Sequence, residues 1–246
     1  MKKIYSFLLL VSLSPLFSLA QTTKWFVTFA SAPTFGGSAG QVKNKMAAQG
    51  YNDQEVNTIF LFGFSRQYPI KTVDPAVLIK AGFKQKENRS IYFIAGITNS
   101  GSAEGFKKEG EDYSLFPLFG GTTGTYVDYN YKIFQLGAGY EYAFQKTRTK
   151  LSAGPSLFIY KYELSGFGEE QNKTSLIPGV NLNMRFPLGK EKRLFGIDLF
   201  ADINLAPPAK TKDLYSNQDG KVKRFSAGSV NMVHGSAGIA FSFRRR

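Results

Sequence analysis

From Val233 to Phe243 the chain divides into two alternating sets. Val233, Gly235, Ala237, Ile239, Phe241 and Phe243 fall on one face of an extended strand, and His234, Ser236, Gly238, Ala240 and Ser242 on the other, because strand side chains alternate with a period of two. The first set is apolar and aromatic; the second is small and polar. The same code recurs upstream. Phe195, Ile197, Leu199, Ala201, Ile203 and Leu205 oppose Gly196, Asp198, Phe200, Asp202 and Asn204, while Leu176, Val180, Leu182, Met184, Phe186 and Leu188 oppose Gly179, Asn181, Asn183 and Arg185. Phe134, Leu136, Ala138, Tyr140, Tyr142 and Phe144 alternate with Gln135, Gly137, Gly139 and Glu141, and Leu151, Ala153, Leu157 and Ile159 with Ser152, Gly154, Ser156 and Tyr160. Repeated segments of about ten residues, apolar on one face and mixed on the other, are the pattern of a transmembrane β-barrel.

The N-terminus agrees with that location. Lys2 and Lys3 precede an apolar core from Phe7 through Leu19, and Ser18-Leu19-Ala20 supplies a small-residue cleavage site, so residues 1–20 read as a signal peptide and 21–246 as the barrel. No Cys is present for a lipid anchor or a disulfide, so stability must come from a core or from closed strand pairing. No later run reaches the roughly 20 apolar residues of a membrane helix. The mean hydropathy of −0.20 looks soluble only because alternation averages out. Aromatic residues make up 15% of the chain and glycine numbers 25, as expected where aromatic girdles mark the interfaces and small residues leave room in a narrow lumen. The net charge of +13 falls by two when Lys2 and Lys3 leave. In an exported chain that charge points to an anionic lipopolysaccharide surface rather than to nucleic acid.

Connections alternate in length. Lys86-Glu87-Asn88-Arg89, Lys146-Thr147-Arg148-Thr149 and Lys190-Glu191-Lys192 read as tight turns, with long stretches near 35–74, 100–125, 166–173 and 207–227 between them. Ile91, Phe93, Ala95 and Ile97 pair with Val77, Ile79, Ala81 and Phe83, and the first strand carries Trp25, Val27 and Phe29. The fold class is all-β: an antiparallel up-and-down barrel of about eight strands with both termini periplasmic. Ten strands is the alternative, should Ile59 to Phe64 pair with 113–125. A short helix over Ser38 to Gln49, capped by Ser38 and ended by Gly50, is expected to pack on the barrel rim.

With those segments in place, the chain resembles the small bacterial outer-membrane barrels of the OmpA-barrel and OmpX type. The resemblance spans the mature chain and rests on the signal peptide, the alternating strands and the terminal Gly238-Ile239-Ala240-Phe241-Ser242-Phe243, similar to the aromatic signal read by the barrel-insertion machinery. In that family the aromatic is the last residue, whereas Arg244, Arg245 and Arg246 follow here.

Inward parity gathers Lys80, Lys84, Glu141, Arg185, Asp198 and Asp202 in the lumen. An eight-stranded barrel is only wide enough for its side chains to fill, so buried charges there must pair; a salt-bridged polar plug is expected, with an ion pathway as the alternative. Trp25, Tyr140, Tyr142, Phe241 and Phe243 are the expected membrane-interface aromatics. His234-Gly235-Ser236 contains the only His, and resembles the His-x-Ser pair of outer-membrane lipid A deacylases, with Glu141 or Asp202 as a third member. Inward parity and the Ala237 that follows argue against it. Gly120-Gly121-Thr122-Thr123-Gly124 lacks the Lys of a phosphate loop, and one His with no Cys offers no metal site. The expectation is a non-enzymatic outer-membrane barrel without cofactor, closed in its lumen and structural or binding through its external loops. Its expected partners are outer-membrane lipid and lipopolysaccharide, the insertion machinery, and an envelope protein or external ligand. A narrow pore or hydrophobic-solute channel comes second and a lipid hydrolase third. A soluble periplasmic β-sandwich would instead be recovered in the soluble fraction.

Overall fold

The computed structural model describes residues 24–52, 75–108, 124–189, 194–216 and 222–244. The strands are β1 (Trp25–Ala32), β2 (Thr34–Gly36), β3 (Ala76–Lys86), β4 (Arg89–Lys108), β5 (Gly124–Ala143), β6 (Lys150–Gly166), β7 (Glu169–Pro187), β8 (Phe195–Leu205), β9 (Ala209–Lys210), β10 (Asp213–Ser216), β11 (Val222–Ser226), β12 (Ser229–Val230) and β13 (His234–Arg244), with one helix, α1 (Ser38–Ala48). Eight of them form an antiparallel ring in the order β1, β3, β4, β5, β6, β7, β8, β13, closed by β13 against β1. Closure removes both sheet edges and pairs the backbone without help from solvent, the condition for crossing a lipid core with strands. Val77, Ile79, Ala81 and Phe83 face Ile97, Ala95, Phe93 and Ile91 in register. Because β1 pairs directly with β3, and β4 with β5, no strand is inserted between them and the ten-stranded alternative falls. The signal segment, Ile59 to Phe64 and the Lys190 to Lys192 turn lie outside the described residues.

The hydrophobic code changes phase along the longest strands. On β5, Leu136, Tyr140 and Tyr142 are exposed while Gln135 and Glu141 are buried; further along, Tyr131, Tyr129 and Val127 are buried while Lys132 and Asn130 are exposed. On β6, Leu151 and Leu157 face out below, and Tyr160, Tyr162 and Leu164 face in above, with Lys161 and Glu163 outside. Apolar-out with polar-in is the pattern of a wall in lipid; polar-out with apolar-in is that of a sheet in water around its own core. The switch falls near Phe134, Ile159 and Leu176. Below it, β5 retains about 10 residues, the span expected of a tilted membrane strand.

Two long stretches read from the sequence as loops are therefore strand. Residues 100–108 belong to β4, and 166–173 is strand except for a two-residue turn at Phe167-Gly168 between β6 and β7. Both turn residues have positive φ, 58° and 73°, the geometry that matches the right-handed twist of paired strands. Phe167 lacks the usual turn signature, but its ring meets Tyr51 edge-on at 6.3 Å, which helps hold a conformation that Phe disfavours.

α1 packs Ala39, Val42 and Met46 into a buried core with Tyr129, Tyr160 and Tyr162 of the wall and Leu214, Phe225, Val230 and Met232 from 209–232. The expected Ser38 cap is not made. Gly37, at φ 97°, takes the N-cap position, and the buried Ser38 hydroxyl accepts instead from Tyr129 Oη at 2.8 Å. At the other end Gly50 (φ 85°) donates its N–H to Ala47 O at 3.0 Å and Tyr51 to Met46 O at 2.8 Å, the Schellman closure that a left-handed glycine permits.

Candidate functional site: a filled lumen beneath a folded cap

The membrane-level lumen is lined by the inward residues of all eight ring strands. Lys80 of β3 donates to Glu141 Oε2 of β5 at 2.8 Å and to Ser152 Oγ of β6 at 2.6 Å. Arg185 of β7 donates to the same Glu141 oxygen, to Thr28 Oγ1 of β1 at 2.7 Å, and more loosely to Asp198 Oδ2 of β8 at 3.5 Å. Asp198 also accepts from Ser242 Oγ of β13 at 2.7 Å. Lys80, Glu141 and Arg185 are 4%, 4% and 2% exposed. The two cationic heads also lie over rings: Lys80 Nζ is 4.0 Å from the Tyr92 centroid and the Arg185 guanidinium 5.3 Å from that of Phe26, a placement that adds cation–π attraction. The network thus ties strands distant in sequence across the barrel's diameter.

Asp202 is held differently from the expected ion pair. Asn181 donates to its Oδ1 at 2.7 Å, Asn183 to Oδ1 at 3.3 Å and Asn204 to its Oδ2 at 2.7 Å. Lys84 does not join the lumen at all: opposite Ser90 and next to the Lys86–Arg89 turn, it is exposed. Its parity is inward, like that of its buried partner Ser90, but it lies at the barrel's end, its N–H bonded to the Lys24 carbonyl just before β1, and its side chain is open to solvent. Ser242, inward by parity, is buried as expected, and Lys150, Thr28 and Tyr92, which the sequence pattern did not single out, are buried as well. Strand parity would have placed Tyr92 inside; what it could not supply was which inward residues meet across the ring.

The aromatic set is spread over two levels. Trp25 pairs with Phe83, Tyr142 with Arg89 and Leu151, and Phe243 with Val27 and Phe195 at the end of the barrel near the tight turns. Tyr140, 66% exposed, and Phe241 lie one alternation deeper, opposite Ile91 and Ile197.

Above the polar layer, His234 is buried with both nitrogens used. Nδ1 donates to the Met232 carbonyl at 2.9 Å, Nε2 meets Thr98 Oγ1 at 2.8 Å, and the ring stands edge-on to Phe158 at 5.9 Å. Neither nitrogen is directed to Ser236, so the pair lacks the contact by which a base activates a serine. Higher still the lumen is closed by rings: Tyr129 and Tyr160 share a hydroxyl hydrogen bond, Tyr131 donates to Asn99, and Tyr162 Oη accepts from the Lys212 N–H at 2.7 Å. Burial raises the pKa of Tyr129, Tyr160 and Tyr162.

α1 is fastened over this core along one stripe. Gln41 and Asn231 exchange hydrogen bonds of 2.8 and 3.3 Å, Lys45 donates to the Ser229 and Ala227 carbonyls, and Gln49 and Ser226 exchange bonds of 2.9 and 3.1 Å. Gln41, Lys45 and the C-cap residue Gln49 are four apart, hence on one face. Gly105 of β4 admits the helix: a Cβ there would come within 2.9 Å of Tyr51 Cβ and 3.1 Å of Met46 Sδ. Among the described residues no cluster of His, Asp and Glu side chains could hold a metal.

A closed ring of eight strands, an apolar outer belt and a filled lumen define a small β-barrel of the outer-membrane type. No protein-family model and no curated protein matches the sequence. Among solved structures, the chain is similar to Ail, the attachment invasion locus protein of Yersinia pestis, at 11% identity and a TM-score of 0.43, over 91% of this chain and 99% of that one. Ail has also been solved in complex with the heparin analogue sucrose octasulfate. Neisserial surface protein A is similar at 10% identity and a TM-score of 0.37 over 90% of this chain and 96% of that one, and outer membrane protein AlkL at 15% and 0.34 over 91% of each.

Proposed function

We propose that the protein is a non-enzymatic barrel of the outer membrane, with a closed lumen and a folded external cap as its working surface. One observation carries this reading: the lumen is filled at two successive levels, by the Lys80–Glu141–Arg185–Asp198 network and by the Tyr129, Tyr131, Tyr160 and Tyr162 layer with α1 fastened above it. A pore would need both layers to open, and the lower one crosses the barrel through buried charges whose separation is costly. The cap, built from the upper parts of β4 to β7, α1 and residues 209–216 and 222–232, then offers the surface for an envelope protein or an external ligand. Trp25, Tyr142 and Phe243 serve as the interface aromatics of the periplasmic side.

The test is single-channel recording of the mature protein in planar bilayers, beside the gel shift between heated and unheated samples. A heat-modifiable band with no steady conductance is the expected result. Sustained conductance would overturn the closed lumen and make Lys80, Glu141 and Asp198 pore lining. Esterase activity lost in Ser236→Ala would overturn the non-enzymatic part.

A further inference from the structure

We propose that the outer face of the wall carries a binding site for one phosphorylated glycolipid of the surrounding leaflet, centred on Lys132 and Lys161. The two lysines are direct cross-strand partners on β5 and β6, and both point outward, since Tyr131, Ile133, Tyr160 and Tyr162 around them are buried. Like charges placed directly opposite each other destabilise a sheet. Neither is in an ion pair or hydrogen bond with a described residue, so the wall holds a pair of cations with no direct counter-ion among the described residues, suited to one anion.

The level of the pair selects the anion. Two residues below, about 7 Å along the strands, the partners are Phe134 and Ile159, with Ile159 facing Leu176 on β7. These mark the edge of the apolar belt, so a lipid whose acyl chains lie on the belt brings its headgroup phosphate to the lysines. Two residues above, Asn130 pairs with Glu163 and Glu163 with Asn172; Thr174 stands opposite Lys161. These side chains line one groove of about 650 Å³. A carboxylate flanked by two carboxamides suits sugar hydroxyls, with Glu163 accepting and both Asn able to do either. A simple phospholipid would leave this upper half of the groove unused.

The site rests on the reading that the long ends of β4 to β7 face outward from the cell. That reading is checked separately by labelling Glu170→Cys on intact cells with an impermeant maleimide, since the chain contains no other Cys. The site is tested by native mass spectrometry of the protein extracted from outer membranes in mild detergent, counting phosphorylated glycolipid adducts on the native chain, on Lys132→Glu/Lys161→Glu and on Lys132→Arg/Lys161→Arg. One retained lipid is expected on the native and arginine chains, with retention lower by at least about 30-fold in the glutamate variant, the loss of two surface lysines alone accounting for that factor. The glutamate variant is first shown to be heat-modifiable; if it is not, loss of the adduct from the native chain with rising salt provides the same test. Equal retention by a folded glutamate variant, or salt-independent retention, would overturn the proposal. Release of the lipid by inorganic phosphate alone would overturn the lipid assignment in favour of a free-phosphate site.

Discussion

Replacing Glu141 with Leu should expose how much of the barrel's stability resides in its polar layer. Glu141 Oε2 is shared by Lys80 at 2.8 Å and by Arg185. Its loss leaves Lys80 with the Ser152 hydroxyl, and Arg185 with Thr28 and a 3.5 Å approach to Asp198. Removing one member of a buried ion pair costs roughly 3–5 kcal/mol, because the remaining charge stays desolvated. The surviving contacts of Arg185 place the expected loss at about 3 kcal/mol, near the lower end of that range. Removing Lys80 together with Glu141, as Lys80→Met/Glu141→Leu, deletes the orphaned charge as well, and should recover about 1–2 kcal/mol of the summed single losses. Urea unfolding in detergent, followed by the fluorescence of Trp25, the single tryptophan, and by the gel shift, measures both. A Glu141→Leu loss under about 1 kcal/mol, or strictly additive single losses, would refute the picture of a dry, mutually compensated network.

Further outcomes follow from the cap and the wall. Met46→Ala removes a side chain that is 1% exposed from the cap core and should cost about 2–4 kcal/mol; proteolysis is expected to cut near α1 while the heat-modifiable barrel persists. Gly154→Val should prevent insertion, since a Cβ there would lie 2.0 Å from the Ala138 carbonyl oxygen; the readout is loss of the folded band. Tyr129, Tyr160 and Tyr162 have pKa values raised by burial, so the folded cap holds protons that the unfolded chain releases. Its stability is full below pH of about 10, the ordinary tyrosine value, and falls as pH rises beyond it. Absorbance at 295 nm should show these phenols ionising only as the cap's near-ultraviolet circular dichroism collapses, and early ionisation of all tyrosines would contradict their burial.

The period-two code was enough to assign the eight ring strands, their inward and outward faces and the pairing of Val77 to Phe83 with Ile91 to Ile97, because a strand's facing depends only on parity and lipid accepts only one kind of face. It also placed Lys80, Glu141, Arg185, Asp198 and Asp202 inside. It did not place Lys84 outside the rim, since parity knows the side of the wall but not its height. The β6–β7 turn was hidden because Phe167 adopts a positive φ that its own identity disfavours and that contact with Tyr51 helps hold.

The sequence by itself thus determined, through local alternation, that this chain builds an all-β membrane wall with an apolar outer and a polar inner face. Only the tertiary structure decided what fills it: the shared Glu141 oxygen, the three asparagines on Asp202, α1 fastened by Gln41, Lys45 and Gln49, and the lysine pair at the belt's edge. Each of these depends on ring closure and strand register, which bring together residues as far apart as Thr28 and Ser242, and no local pattern along the chain encodes that distance.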